Sequence, residues 1–311
     1  MNILNTIDSF LKKILDSNCF TNIYSTSRSI LALGSLSTFI FSSPQILFDK
    51  DLFNTNNSGE LIDKINIFYL LGYENLLYSY SISIIILLLV FSGFYPKFTG
   101  ILHWIVTFSF QNASSLPDGG DQVAMIISFY LIPLTIFDNR KNHFNQSVFQ
   151  TNFQNSVSVI ITKFLIPLQV SVIYLHAAID KLYKVEEWRN GTALYYILND
   201  PLFGSSLFKN GEASNLLANK YIVVLLTWSP IIIEMTLFLA LVMTYKQKKW
   251  LLYLGILFHL FIFILLGLFS FSCSMISCLV IYLLNPIKSI DYKIFFSNTK
   301  YLLRFYQSRL F

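Results

Sequence analysis

Eight stretches of this chain are apolar over lengths that approach or exceed what a lipid bilayer demands, and no other feature constrains the fold as strongly. A helix needs about 20 residues to cross the hydrocarbon core. The stretches are Tyr24–Ser43, Asn75–Tyr95, Phe98–Gln111, Asp121–Phe137, Val157–Ile179, Tyr221–Tyr245, Trp250–Leu266 and Leu268–Leu284. They predict an all-α, polytopic integral membrane bundle of about eight transmembrane helices. Composition agrees: 54% of the 311 residues are hydrophobic, 13% are charged, and mean hydropathy is +0.57. Soluble domains carry about a quarter charged residues, and disorder requires low hydrophobicity, so both classes are excluded.

Charge tests the span count. With the N-terminus inside, thirteen basic residues fall on the inner side, including Lys12, Lys97, Arg140, Lys141, Lys246, Lys248 and Lys249. Seven fall on the outer side, spread over longer loops. Both termini are therefore expected on the cytoplasmic side. The same bias accounts for the net charge of +5 without invoking nucleic acid. The three cysteines, Cys19, Cys273 and Cys278, form no CxxC and read as small packing residues.

Three segments follow. Residues 1–20 place Ile3, Ile7, Phe10 and Ile14 on one helical face and charges on the other, which predicts an amphipathic interfacial helix. Residues 21–286 form the transmembrane domain. Residues 287–311 form a basic, aromatic cytoplasmic tail suited to anionic lipid. Of the outer loops, Pro44–Glu74 is Asn-rich and acidic. The other, Lys181–Lys220, carries Trp188, Tyr195 and Tyr196, and is expected to fold back as short helices that break at Asp200-Pro201.

Polar residues inside spans are expensive, about 2.5–3.5 kcal/mol for a charge even on a mild scale, so they mark function or a structural partner. Glu234 lies roughly 18 Å from the inner end of its span and His259 roughly 15 Å along the next, at about 1.5 Å per residue. These depths predict that the two meet, as a proton relay or as a structural pair. Pro230, one turn from Glu234, frees backbone there. Arg28 either snorkels to the interface or meets a buried acid or ligand headgroup. His103 reads as a core histidine or as a binding residue. Asn112 opens a loop ending in Asp118-Gly119-Gly120-Asp121, a turn whose carboxylates also suit a cation or an amine. Gln169, His176 and Asp180 share one helical face, followed by Lys181. His176 and Asp180 have half of a zinc spacing and no third ligand, so no metal is expected. The sequence contains no HExxH, GxSxG, P-loop or dinucleotide fingerprint.

The string from Tyr174 through His176, Asp180, Lys181, Trp188, Gly191, Thr192 and Tyr195 to Tyr196 resembles the core of the SdpB family, the sporulation-delaying-protein B type of membrane protein. Arg28, Glu234, His259 and Phe269-Ser270-Phe271-Ser272 resemble the wider HTTM superfamily, which includes the membrane part of vitamin-K-dependent gamma-carboxylase. The resemblance implies maturation of an exported antimicrobial peptide toxin, with an SdpA-like protein and an SdpC-like precursor as partners. It also implies an acid/base site among the helices, with Glu234, His259, His176, Asp180 and Lys181 as catalytic candidates. Arg28, His103, Asn112, Asp118, Asp121, Trp188 and Tyr195 are the substrate-binding candidates. His176, Asp180, Lys181, Trp188 and Tyr195, with Asp118 and Asp121, are expected to line an outward-facing cleft leading to Glu234 and His259. No cofactor follows, and the carboxylase's lysine has no counterpart, since Trp104–Asn112 contains none. Two alternatives remain: an HTTM-type enzyme acting on a lipid or quinone-like molecule, and a proton-coupled transporter.

Overall fold

The computed structural model describes residues 17–57, 59, 63–145, 151–200 and 217–289. Most of the expected N-terminal helix and most of the C-terminal tail lie outside these residues.

Eight long helices alternate in direction. They are α1 (Asn22–Phe41), α2 (Leu76–Phe91), α3 (Pro96–Ala113), α4 (Gly119–Ile136), α5, α6 (Lys220–Leu239), α7 (Tyr245–Leu266) and α8 (Phe269–Leu283). Helix α5 runs continuously through Asn152–Ile160, a π-helical turn at Ile161–Leu165, and Ile166–Lys184. The connections collect at two ends. At the basic end, Tyr95 N–H donates to Lys141 O, His143 N–H to Gly93 O, and Thr21 Oγ to Pro286 O. At the far end, Ser114 Oγ donates to Leu47 O and Ser270 Oγ to Asp118 Oδ2.

Five of these helices are long and apolar enough to cross a membrane: α2 with the turn before it, α4, α5, α6 and α7. The chain is thus a multi-pass membrane protein with an all-α fold. Helix α8 is apolar but, at 15 residues, too short for that set, while α1 and α3 are long enough and less apolar. Thirteen of the 20 residues of α1 and eleven of the 15 residues of α8 are buried, against four of the 22 in α7. A helix enclosed by others meets protein instead of lipid and tolerates serine where α7 needs leucine. Ser27 Oγ accordingly donates to Ser277 O, and Ser277 Oγ to Ser27 O, tying α1 to α8. Helix α8 packs on α1, α4, α5 and α7. All three cysteines are free and buried.

The Asn-rich far-end loop is more ordered than its composition implied. Short helices at Pro44–Leu47, Lys50–Asn56 and Ile67–Leu71 bring Phe48, Phe53, Phe68 and Tyr69 into one aromatic cluster with Phe39 and Phe110. The other far-end loop does fold back as short helices, Glu186–Arg189 and Ala193–Asn199. Gly191 makes the turn between them at φ 74°, where its bare Cα faces Val224 of α6. Leu194 N–H donates to Thr227 Oγ1, which fastens this segment to α6. The expected break at Asp200-Pro201 falls where the described residues stop.

Candidate functional site: a polar centre on α5

Glu234 and His259 do not bond each other among the described residues. Consecutive helices α6 and α7 touch little, and each instead packs its polar residue against α5. Lys181 Nζ donates to both carboxylate oxygens of Glu234, at 2.7 and 2.9 Å. One side chain of this ion pair is 22% exposed and the other 7%. The Trp188 ring lies 5.4 Å from the Lys181 cation, so the folded-back segment closes over the pair. Two turns along α5 towards the basic end, the Tyr174 hydroxyl and His259 Nε2 share a hydrogen bond of 2.9 Å. Seven residues separate Tyr174 from Lys181, which places both on one face of α5.

The other ring nitrogen of His259, Nδ1, is buried and has no partner among the described residues. Either tautomer leaves it as the imidazole's open position. Ser272 Oγ donates to the His259 carbonyl, and the Phe271 ring packs 5.8 Å from the imidazole. The site therefore couples an ammonium–carboxylate pair to a phenol–imidazole pair inside the bundle. Those four groups can bind a polar substrate group and move a proton.

The carboxylates of the Asp118–Asp121 turn lie on the other side of Phe271. Each accepts from the other's backbone N–H, at 3.0 and 2.9 Å, a reciprocal cap on α4. Gly120 lets this cap sit against α8, since a Cβ there would lie 2.4 Å from Phe271 Cα. Asp118 and Asp121 border a far-end groove of about 910 Å³ between α1, α4 and the α7–α8 turn. Leu47, Leu116, Phe263, Leu268 and Phe269 give it apolar walls.

The remaining candidates separate. His176 is 73% exposed, 3.7 Å from Asp180, and Asp180 is held by Lys184 at 2.8 Å. That trio lies on a different face of α5 from Tyr174 and Lys181, because position 176 is turned away from both. Tyr195 is exposed and packs on Tyr196. Asn112 is exposed and bonds locally to Phe108 O. His103 is buried, and its Nε2 has no partner among the described residues. The expected single cleft is thus two features, the Asp-bordered groove and the α5 centre, divided by Phe271. Among the described residues no group of three His, Cys, Asp or Glu could hold a metal.

Arg28 belongs to a second polar cluster at the basic end. It is fully buried, so it does not snorkel; among the described residues no carboxylate bonds it directly, although the Asp138 charge acts on it. Its Nη1 donates to His143 Nδ1 at 3.2 Å and its Nη2 to Thr99 Oγ1 at 2.7 Å. Since a guanidinium only donates, His143 Nδ1 accepts, and its Nε2–H donates to Ser29 Oγ at 3.2 Å. The imidazole is therefore neutral. Burial, and then Arg28 and Arg140, lower its pKa to about 2. Beside it Arg140 forms a two-point ion pair with Asp138, both bonds 2.7 Å. Tyr174, Asp138 and His143 were not singled out from the sequence. The signal available for the last two was an acid and a histidine, one and six residues past a span, in a loop otherwise read only for positive charge.

An all-α, multi-pass membrane protein with a buried lysine–glutamate and tyrosine–histidine centre is the class that this fold and site define. Within that class, the chain is 35% identical to the sporulation-delaying protein SdpB of Bacillus subtilis (strain 168) over 292 residues, 93% of this chain and 88% of the relative. It is 31% identical, also over 292 residues, to the uncharacterized protein YitO of the same organism, covering 92% of this chain and 93% of the relative. The chain belongs to the SdpB family. No protein-family model matches it, and no solved structure does.

Proposed function

We propose that this protein has an SdpB-like role in a sporulation-delaying-protein system, in the maturation of an exported antimicrobial peptide. The observation that carries the reading is the 35% identity to SdpB across nearly the whole chain. An SdpA-like protein and an SdpC-like peptide precursor are the partners in this reading. The protein sits in the bacterial cytoplasmic membrane with both termini cytoplasmic, so the far end faces outward. An exported peptide then arrives at the Asp118–Asp121 groove, whose acidic border suits an amine or basic side chain. The Lys181–Glu234 and Tyr174–His259 pairs are the acid/base groups of the site. The resemblance of Arg28, Glu234 and His259 to the HTTM superfamily fits such a centre.

The test is co-expression with an SdpA-like partner and an SdpC-like precursor, followed by mass spectrometry of the secreted product. Wild type is expected to yield the mature peptide, and Glu234→Gln to yield none at equal membrane abundance. Mature peptide from cells lacking the protein would refute the role. A second reading, chemistry on a lipid or quinone-like molecule, is favoured by the apolar walls of the groove. Lipid extracts that differ between wild type and Glu234→Gln, with peptide output unchanged, would select it.

A further inference from the structure

Arg28 and Lys163 are the only basic residues inside the eight apolar stretches. Arg28 is accounted for by His143 and Thr99. Lys163 has no such explanation. It lies six residues into its stretch, about 9 Å at the helical rise. It stands on the π-helical turn of α5, where Ile166 N–H reaches back five residues to Ile161 O. Such insertions widen the helix locally and recur at functional sites.

Facing it is Lys248 of α7. In the run Lys246, Lys248 and Lys249, Lys248 is half-buried while its neighbours are exposed. Its ammonium lies 5.6 Å from the centre of the Tyr282 ring and 5.7 Å from that of Tyr245. Both rings orient the cation. Tyr282 in turn donates to Leu237 O at 3.0 Å, which fixes its ring between α6 and α8. Thr162, Lys163, Tyr245, Lys248, Tyr282 and Pro286 line a pocket of about 60 Å³. Among the described residues no carboxylate pairs with either lysine. Two cations thus converge on a small opening between helices, at the basic end where lipid headgroups lie.

We propose that Lys163 and Lys248 hold the phosphate of an anionic phospholipid in this pocket. Two ammonium groups with no carboxylate partner among the described residues, in a partly dry site, call for an anion, and a lysine serves phosphate well as a point charge. A basic pocket between transmembrane helices at headgroup level is the setting in which lipid phosphates bind. The opening admits a compact group of a few heavy atoms, and the acyl chains would lie outside along α5 and α7. The proposal is independent of the peptide-maturation reading.

The test is native mass spectrometry of the full-length protein released from nanodiscs of mixed phosphatidylglycerol and phosphatidylcholine. Wild type should retain phosphatidylglycerol in preference to phosphatidylcholine. Lys163→Gln and Lys248→Gln should each lower that retention about fivefold, the scale of one lysine beside an anionic surface. Lys246→Gln, outside the pocket, should not. Lys163→Arg should preserve retention, which separates lost charge from misfolding. Equal retention across all variants, or equal retention of both lipids, would overturn the site. Displacement of phosphatidylglycerol by millimolar inorganic phosphate would overturn a lipid as the source of the phosphate.

Discussion

Removing one member of the Lys181–Glu234 pair should damage the protein more than removing both. Lys181 supplies two bonds to a carboxylate that is only 7% exposed, so Lys181→Met strands a buried negative charge. Breaking a buried pair from one side costs about 3–5 kcal/mol. Glu234→Gln is milder, because Lys181 is 22% exposed and can turn outward under Trp188; about 1–3 kcal/mol is expected, the scale of one unmet buried polar group. The double variant leaves no buried charge and should recover at least about 2 kcal/mol of the summed loss, a coupling within the range of contacting residues. Thermal unfolding of purified protein in detergent measures the cycle. Peptide output, measured alongside, separates architecture from chemistry: the double variant should regain stability and stay inactive. Additive single effects would refute the ion pair as a coupled unit. A double variant that regains output would reduce the pair to a structural clamp.

Three further outcomes follow from the geometry. His143 is neutral when folded, with a pKa near 2, and titrates near 6.5 when unfolded, so the unfolded state binds the extra proton between those values. Stability should fall on acidification below pH 6.5, by up to about 1.4 kcal/mol per pH unit from this group, and His143→Gln should flatten that slope in detergent unfolding at pH 5 to 7. His176→Ala, on the exposed face of α5, should leave peptide output within about twofold, as surface substitutions do; complete loss would move the substrate to that face. Because the three native cysteines are buried, single surface cysteines can be labelled selectively. Glu187→Cys should react with an impermeant maleimide in intact cells and Lys246→Cys only after permeabilisation; the reverse pattern would invert the orientation.

Much of the architecture is legible in the sequence because lipid acts on single residues. Helix α7 shows its apolarity directly, since most of it faces outward. Glu234, His259 and Arg28 stand out for the same reason: a polar side chain at that depth needs a partner, whatever the partner is. The identity of the partner is another matter. The expected Glu234–His259 contact rested on matched depths in consecutive spans, and in a bundle neither depth nor adjacency decides packing. Helices α6 and α7 lie against α5 and α8 more than against each other, so Lys181 and Tyr174 take the bonds. The aromatic cluster around Phe48 and Phe53 was likewise hidden, because its asparagine-rich surroundings dominate the composition while the rings converge only on folding.

The helical faces of α5 carry the remaining argument. His176 and Asp180 form a legible i,i+4 pair, and Tyr174 and Lys181 form an equally regular i,i+7 pair on another face. Sequence spacing cannot choose between them, since both satisfy the helical period. What chooses is the neighbourhood: one face meets Glu234 and His259, and the other meets the outside. An acid/base centre needs groups held by packing, and only the inward face provides them. Trp188, a substrate-binding candidate from the sequence, then gains a specific place, over the Lys181 cation. That contact ties the far-end loop to the buried pair, so substrate entering under the loop would disturb the Lys181–Glu234 bond directly. Trp188→Ala should therefore lower peptide output even though the residue touches neither Tyr174 nor His259. The loss should appear at unchanged unfolding temperature, because Trp188 is only part-buried. A variant with full output would leave the loop without a part in the chemistry.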